Sequence, residues 1–226
     1  MAGTTPFGPL DLLTRPPTLI PRPETEDWAI RLARAVAPTR NLRVLDLCTG
    51  SGCIPLLLCH LWPAGTHAVG VDISPDAIWL ATDNAVRSRT NSFTPVLGDL
   101  RDPALLDRLV PPFDVITANP PYIPLHLYHT LPSSVKDYED PQALIGDYPD
   151  AQIQDGLSYY RSIATLLGRK GVLADNAVLA LEVGHDQAHA VKHILERIPA
   201  LRFHQIDIWR DPWNKERVVF ARTTPR

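Results

Sequence analysis

The chain has 226 residues, 45% of them hydrophobic, enough for one sizeable core and short for two full domains. Its formal charge of −3 offers no strongly basic surface for stable nucleic-acid binding, and no apolar run approaches the ~20 residues that cross a bilayer, so no membrane partner is expected. Residues Met1 to Leu13 lack the basic-then-apolar pattern of a signal peptide and are not Arg-rich like a mitochondrial presequence.

Residues 1–27 are rich in Pro and Thr without a clean period. They read as a lead segment that packs on the core, with a helix opening near Glu24, and residues 28–226 read as one domain. Arg43 to Leu47 is a buried strand and Gly52 to Leu61 an apolar helix. The three cysteines, Cys48, Cys53 and Cys59, all fall here without the paired spacing of a zinc site. They read as small apolar residues in a reducing, intracellular setting, and no metal is expected. Ala68 to Ile73 is a second strand. Ser74 then caps a helix that has Pro75 in its first position and runs to about Arg87.

Pro95 to Leu97 is a short third strand and Phe113 to Ala118 a fourth. Asn119 to Gln154 is long, polar and proline-rich, and a loop of that length inside a compact domain is usually functional. Asp155 to Leu167 shows helical spacing, with Arg169 and Lys170 at its C-terminal end. Val178 to Val183 is a fifth strand and His185 to Arg197 a helix. On that helix His185, His189 and His193 form an exposed stripe with no carboxylate partner evident. Leu201 to Trp209 and Arg217 to Arg222 are the last strands, turned back on each other by Arg210 to Glu216. Strands alternating with helices give an α/β, mostly parallel sheet covered on both faces. The terminal antiparallel hairpin suits a seven-stranded methyltransferase better than a plain dinucleotide-binding fold.

Four motifs carry chemistry. Asp46-Leu47-Cys48-Thr49-Gly50-Ser51-Gly52 follows the first strand and opens a helix, where glycines let a cofactor approach the backbone. Pro55 stands where a dinucleotide fingerprint would place its last glycine, which weakens a nicotinamide or flavin reading. Asp72 ends the second strand, 22 positions after Gly50, where a carboxylate can accept from both hydroxyls of a ribose. Asp99, after Gly98 and before Leu100, can accept from an adenine amino group. Asn119-Pro120-Pro121-Tyr122 follows the fourth strand. The two prolines fix the backbone so that the Asn119 side chain and the Pro120 carbonyl offer two acceptors to a planar –NH₂ group, on which Tyr122 can pack.

These residues resemble the Asn-Pro-Pro-Tyr class of amino-methyltransferases, and within it the chain is similar to the HemK/PrmC family. The specific stretch is Leu19-Ile20-Pro21-Arg22-Pro23-Glu24-Thr25-Glu26. Further matches are Glu139-Asp140-Pro141 with Ala143-Leu144, Asp155-Gly156-Leu157 with Tyr160-Arg161, and Glu182-Val183-Gly184. The resemblance implies a class I, Rossmann-like methyltransferase domain that uses S-adenosyl-L-methionine to methylate the glutamine of the Gly-Gly-Gln motif in a peptide chain release factor. It implies cofactor contacts from Cys48, Thr49, Gly50, Ser51, Gly52, Asp72, Asp99, Leu100 and Asn119. Substrate contacts would come from Asn119, Pro120, Pro121 and Tyr122, with Asn119 and Pro120 catalytic.

Two departures stand out. Cys48 replaces a glycine common in the family, and the family's N-terminal helical substrate domain has no counterpart ahead of the core. Either the chain is trimmed ahead of the core, or substrate recognition uses the core alone or a partner subunit. The Trp209 to Val219 stretch looks more like mitochondrial members, which leaves matrix or cytoplasm as the expected site. A nucleic-acid amino-methyltransferase and a non-catalytic cofactor-binding subunit are the rival readings; the charge and the lack of a basic run oppose the first, and the intact Asn119 to Tyr122 opposes the second.

Overall fold

A computed structural model describes residues 3–36, 41–63 and 65–225. Within the lead segment, β1 (Gly3–Phe7) and β2 (Leu10–Thr14) pair antiparallel as a separate hairpin. The sequence showed no period here because prolines interrupt it, yet Phe7 and Leu12 are buried in the core. Helix α1 (Pro23–Val36) follows, with Pro23 in its first position and Glu24 and Glu26 in the first turn, where the helix dipole favours carboxylates. It buries Thr25, Trp28, Ala29, Leu32 and Ala33, a single stripe at helical spacing. The division expected at residues 27 and 28 falls inside this helix.

Seven strands form the main sheet: β3 (Arg43–Leu47), β4 (His67–Asp72), β5 (Phe93–Leu97), β6 (Phe113–Ala118), β7 (Leu173–Glu182), β8 (Phe203–Arg210) and β9 (Glu216–Thr223). Their order is β5-β4-β3-β6-β7-β9-β8. The first five are parallel, and β9 lies antiparallel to both β7 and β8. Alternate residues face opposite layers, and both sets are apolar, as a sheet covered on two sides requires. Val44, Val115, Val178 and Phe220 meet the hairpin, α1, α2 (Cys53–Leu61) and α3 (Pro75–Arg87). Leu45, Ile116, Leu179 and Val219 meet α7 (Ser158–Leu167) and α8 (Ala188–Glu196).

The strand and helix positions of the core match the sequence reading closely, but several elements differ: helix α7 opens at Ser158 and not at Asp155. Strand β7 begins at Leu173, with a register shift against β6 and Asn176 at positive φ interrupting its apolar pattern. Helix α8 begins only at Ala188, so His185 precedes it. The segment after β6 is not structureless: it contains the short helices α4 (Leu125–Tyr128), α5 (Ser133–Lys136) and α6 (Pro141–Leu144). From β3 the chain winds outward through β4 and β5, then returns to β6 on the other side of β3. Open α/β sheets bind ligands beyond the carboxyl ends of the strands at such a reversal.

Candidate active site

The loop after β3 is built from left-handed backbone: Cys48 (φ 58), Gly50 (φ 54) and Gly52 (φ 78). Only glycine takes this conformation without strain, which explains why glycine suits position 48 and why Cys48 is held against its preference. Thr49 N–H donates to the Val71 carbonyl at 3.0 Å, tying the loop to β4. Asp72, at the end of β4, accepts from Gly50 N–H through Oδ2 at 2.8 Å and from Ser74 N–H through Oδ1 at 2.9 Å. Each oxygen keeps a lone pair for a further donor. Burial raises the Asp72 pKa, with the Ser74 and Gly50 amides pulling it back. A Cβ on Gly50 would meet nothing nearer than the Thr18 methyl at 3.9 Å, so the loop presents bare backbone to an open mouth.

Beneath the loop, Asp46 is fully buried. Its Oδ1 accepts from Thr117 Oγ1 at 2.6 Å, whereas Oδ2 and the neighbouring Thr49 Oγ1 are buried with no well-formed hydrogen bond among the described residues. Burial pushes the Asp46 carboxyl up to about 7, against the pull of the Thr117 and Thr49 hydroxyls. Ser51 and Gly52 are buried, and the Ser51 carbonyl accepts from Asn84 Nδ2 at 3.0 Å. Asn84 also exchanges hydrogen bonds with both backbone groups of Leu13, so the β1–β2 hairpin and the glycine loop share one buried side chain.

At the end of β5, Gly98 N–H donates to the Asp72 carbonyl at 2.8 Å. Asp99 turns onto its own loop, accepting from Arg101 N–H at 2.8 Å and from the Arg101 guanidinium at 3.3 Å. That guanidinium lies 4.4 Å above the Tyr148 ring, which in turn meets Tyr159 at 4.5 Å. Leu100 is half-buried beside them and packs on the core.

Asn119 and Tyr122 are half-buried at the end of β6, and Pro120 and Pro121 are buried. Asn119 Nδ2 donates to Thr25 Oγ1 at 3.3 Å, which leaves Oδ1 as the end with no partner among the described residues. Among the described residues no backbone donor reaches the Pro120 carbonyl. The Tyr122 carbonyl accepts from Gln187 Nε2 at 2.9 Å, and burial pushes the phenol up to about 12. Three glycines close around this residue. A Cβ on Gly146 would lie 2.7 Å from Tyr122 Cα, one on Gly156 2.3 Å from its carbonyl oxygen, and one on Gly184 2.8 Å from Cδ2 of its ring.

The 119–154 segment is strapped to the lead segment. Arg22 Nη2 pairs with the buried Glu139 at 2.5 Å, and Asp140 N–H donates to the Pro17 carbonyl at 2.8 Å. The structure therefore brings the glycine loop, Asp72 and Asn119 to Tyr122 to one end of the sheet, on either side of β3, with Asp99 and Leu100 one strand further out. Sequence reasoning assigned no role to Thr25, Trp28, Glu182 or Gln187. The hallmark stretches containing Thr25 and Glu182 flagged those two positions without saying what they do.

A seven-stranded sheet of this order with a glycine loop at its centre is the class I methyltransferase architecture. A solved structure of the putative methyltransferase yhhF from Escherichia coli has the same fold, with a TM-score of 0.59 at 14% identity over 99% of this chain and 100% of that one. A family model described as a methyltransferase domain matches residues 38–211. Among curated proteins, the release factor glutamine methyltransferase of Moorella thermoacetica is 34% identical over 91% of this chain and 68% of its own length. That of Agrobacterium fabrum is 35% identical over 97% and 72%. The chain belongs to the release factor glutamine methyltransferase family. These relatives are bacterial and add no support for a mitochondrial location. Among the described residues no helix is long and apolar enough to cross a membrane.

Proposed function

We propose that this chain transfers a methyl group from S-adenosyl-L-methionine to the side-chain amide nitrogen of the glutamine in a release factor's Gly-Gly-Gln tip. The observation that carries the reading is the strand order. Because β3 lies between β4 and β6, the Asp72 carboxylate and the Asn119 amide flank one glycine loop. Two lone pairs on Asp72 suit the two ribose hydroxyls, and the open backbone at Gly50 suits close approach of the cofactor. Asp99 and Leu100 line the adenine end. The cofactor supplies a methyl group made electrophilic by its sulfonium.

The chain's own contribution is positioning and charge stabilisation. An amide nitrogen is a poor nucleophile because its lone pair is delocalised. Asn119 Oδ1 and the Pro120 carbonyl each accept one N–H of the target, orient it for in-line attack and support the positive charge that develops. Tyr122 bounds the flat face of the amide. No base is required before attack, because the methylated nitrogen is acidic enough to lose its proton to water. The 119–154 segment, held by Glu139 and Asp140, stands beside Asn119, and a glycine-flanked glutamine is the target whose backbone can approach such a wall without clashing side chains. The lead segment and the domain from residue 28 act as one unit around it.

With methyl-labelled cofactor, label is expected on the release factor and not on its Gln→Ala form. Label on RNA or DNA, or equal label on both release factors, would overturn the substrate assignment. Asn119→Ala is expected to abolish turnover while cofactor affinity, measured by calorimetry, stays within about three-fold. A wild-type rate would overturn the role given to Asn119.

A further inference from the structure

Behind Asn119 lies a buried hydrogen-bonded row that the proposed chemistry does not use. Thr25 and Trp28 stand one turn apart on α1, and Glu182 ends β7. All three are only 2% exposed. Strand pairing sets Ala118 beside Leu181, so Asn119 follows β6 at the level of Glu182. Thr25 Oγ1 donates to Glu182 Oε2 at 2.7 Å, Trp28 Nε1 donates to the same oxygen at 2.7 Å, and Asn119 Nδ2 donates to Thr25 Oγ1 at 3.3 Å.

We propose that Thr25 and Glu182 are positioning residues whose hydrogen-bond direction decides which end of the Asn119 amide faces the substrate; this rests on the reading of Asn119 as the acceptor for the target amide. The direction follows from what each group can give. An indole N–H only donates, so the oxygen it meets must be an acceptor. With Glu182 ionised, its carboxylate has no hydrogen to give, so Oε2 accepts from Thr25 as well and the single Thr25 hydrogen is committed to it. Toward Asn119, Thr25 then has only lone pairs, and Asn119 must offer Nδ2–H. A flipped amide would set Oδ1 against Thr25 Oγ1 with no hydrogen between them. Asn119 thus presents Oδ1 outward, where an –NH₂ group needs an acceptor. A buried donor or acceptor left unmatched is costly, so the row fixes the choice before substrate arrives.

The test is kinetic and spectroscopic, on the full chain with a release factor as substrate. Thr25→Val keeps the shape and removes the hydroxyl. It is expected to lower kcat roughly ten- to a hundred-fold, with cofactor affinity unchanged. Thr25→Ser restores the hydroxyl and is expected to stay within about three-fold of wild type, as is Glu182→Gln, whose carbonyl can still accept from Trp28 and Thr25. In ¹⁵N-labelled protein one Asn119 side-chain proton should exchange slowly in wild type and Thr25→Ser, and fast in Thr25→Val. If Thr25→Val folds poorly, the Thr25→Ser and Glu182→Gln rates and the wild-type exchange pattern still decide. A wild-type kcat for Thr25→Val, equal loss in the Val and Ser variants, or two fast Asn119 protons in wild type would overturn the relay. Those failures would leave Asn119→Ala inactive, whereas an active Asn119→Ala would instead overturn the reading on which the relay rests.

Discussion

Asp46 is a carboxylate placed where ionisation is expensive. Its folded-state pKa of about 7 lies above the ~3.9 of an unfolded Asp, so the folded chain holds its proton over that interval. A group shifted in this direction subtracts stability as pH rises from about 4 to about 7, and the penalty is complete above that. Asp46→Asn removes the titration, and its amide can still accept from Thr117 and donate to the neighbouring Thr49 hydroxyl. Relative to wild type, the variant should gain roughly 2–4 kcal/mol between pH 4.5 and pH 8. Parallel stability curves from denaturant melts at the two pH values would rule this out. Cys48 offers a second single-residue test. Its φ of 58 costs a side chain energy that glycine does not pay, so Cys48→Gly should raise stability by up to about 1 kcal/mol, read as a higher Tm with an unchanged m-value. A lower Tm would mean that the thiol's packing outweighs the strain.

At the scale of elements, the ends of β6 and β7 and the turn before α8 converge on Tyr122. Gly184 permits this approach, because a Cβ there would lie 2.8 Å from the Tyr122 ring and 2.7 Å from Gln187 Oε1. Gln187 cannot retreat freely, since Oε1 accepts from Gly184 N–H and Nε2 holds the Tyr122 carbonyl. Gly184→Ala should therefore displace Tyr122 and the turn together, lowering kcat on the release factor at least ten-fold at nearly constant cofactor affinity. An unchanged kcat would show that Tyr122 is not held by this contact.

Across the whole molecule, the lead segment and the 119–154 segment hold each other. Glu139 is 4% exposed, and one of its oxygens is paired with Arg22 while the other has no partner among the described residues. Arg22→Ala strands that carboxylate, a loss of about 1–3 kcal/mol, discounted because the Arg22 side chain is itself 37% exposed to water. Hydrogen exchange should then quicken around residues 133–145 before it does in β3 or β6. Uniform exchange across both regions would argue against a strap.

Sequence alone located all seven strands of the main sheet, the capped helix at Pro75, and the glycine and double-proline loops, because these depend on short-range causes: apolar runs of strand length, Ser74 before Pro75, glycines after a strand, and two prolines after another. The hairpin at Gly3–Thr14 escaped it because Pro6 and Pro9 break the periodicity, and its order comes from burying Phe7 and Leu12 against distant helices. The tertiary structure alone decided how Asn119 is oriented. Its partners stand 94 positions away at Thr25 and, beyond Thr25, at Glu182, and neither residue's type announces a hydrogen-bond direction. That direction exists only once Thr25 and Trp28 are buried against the Glu182 carboxylate, since a carboxylate that can only accept fixes the polarity of the row only where water cannot replace its partners.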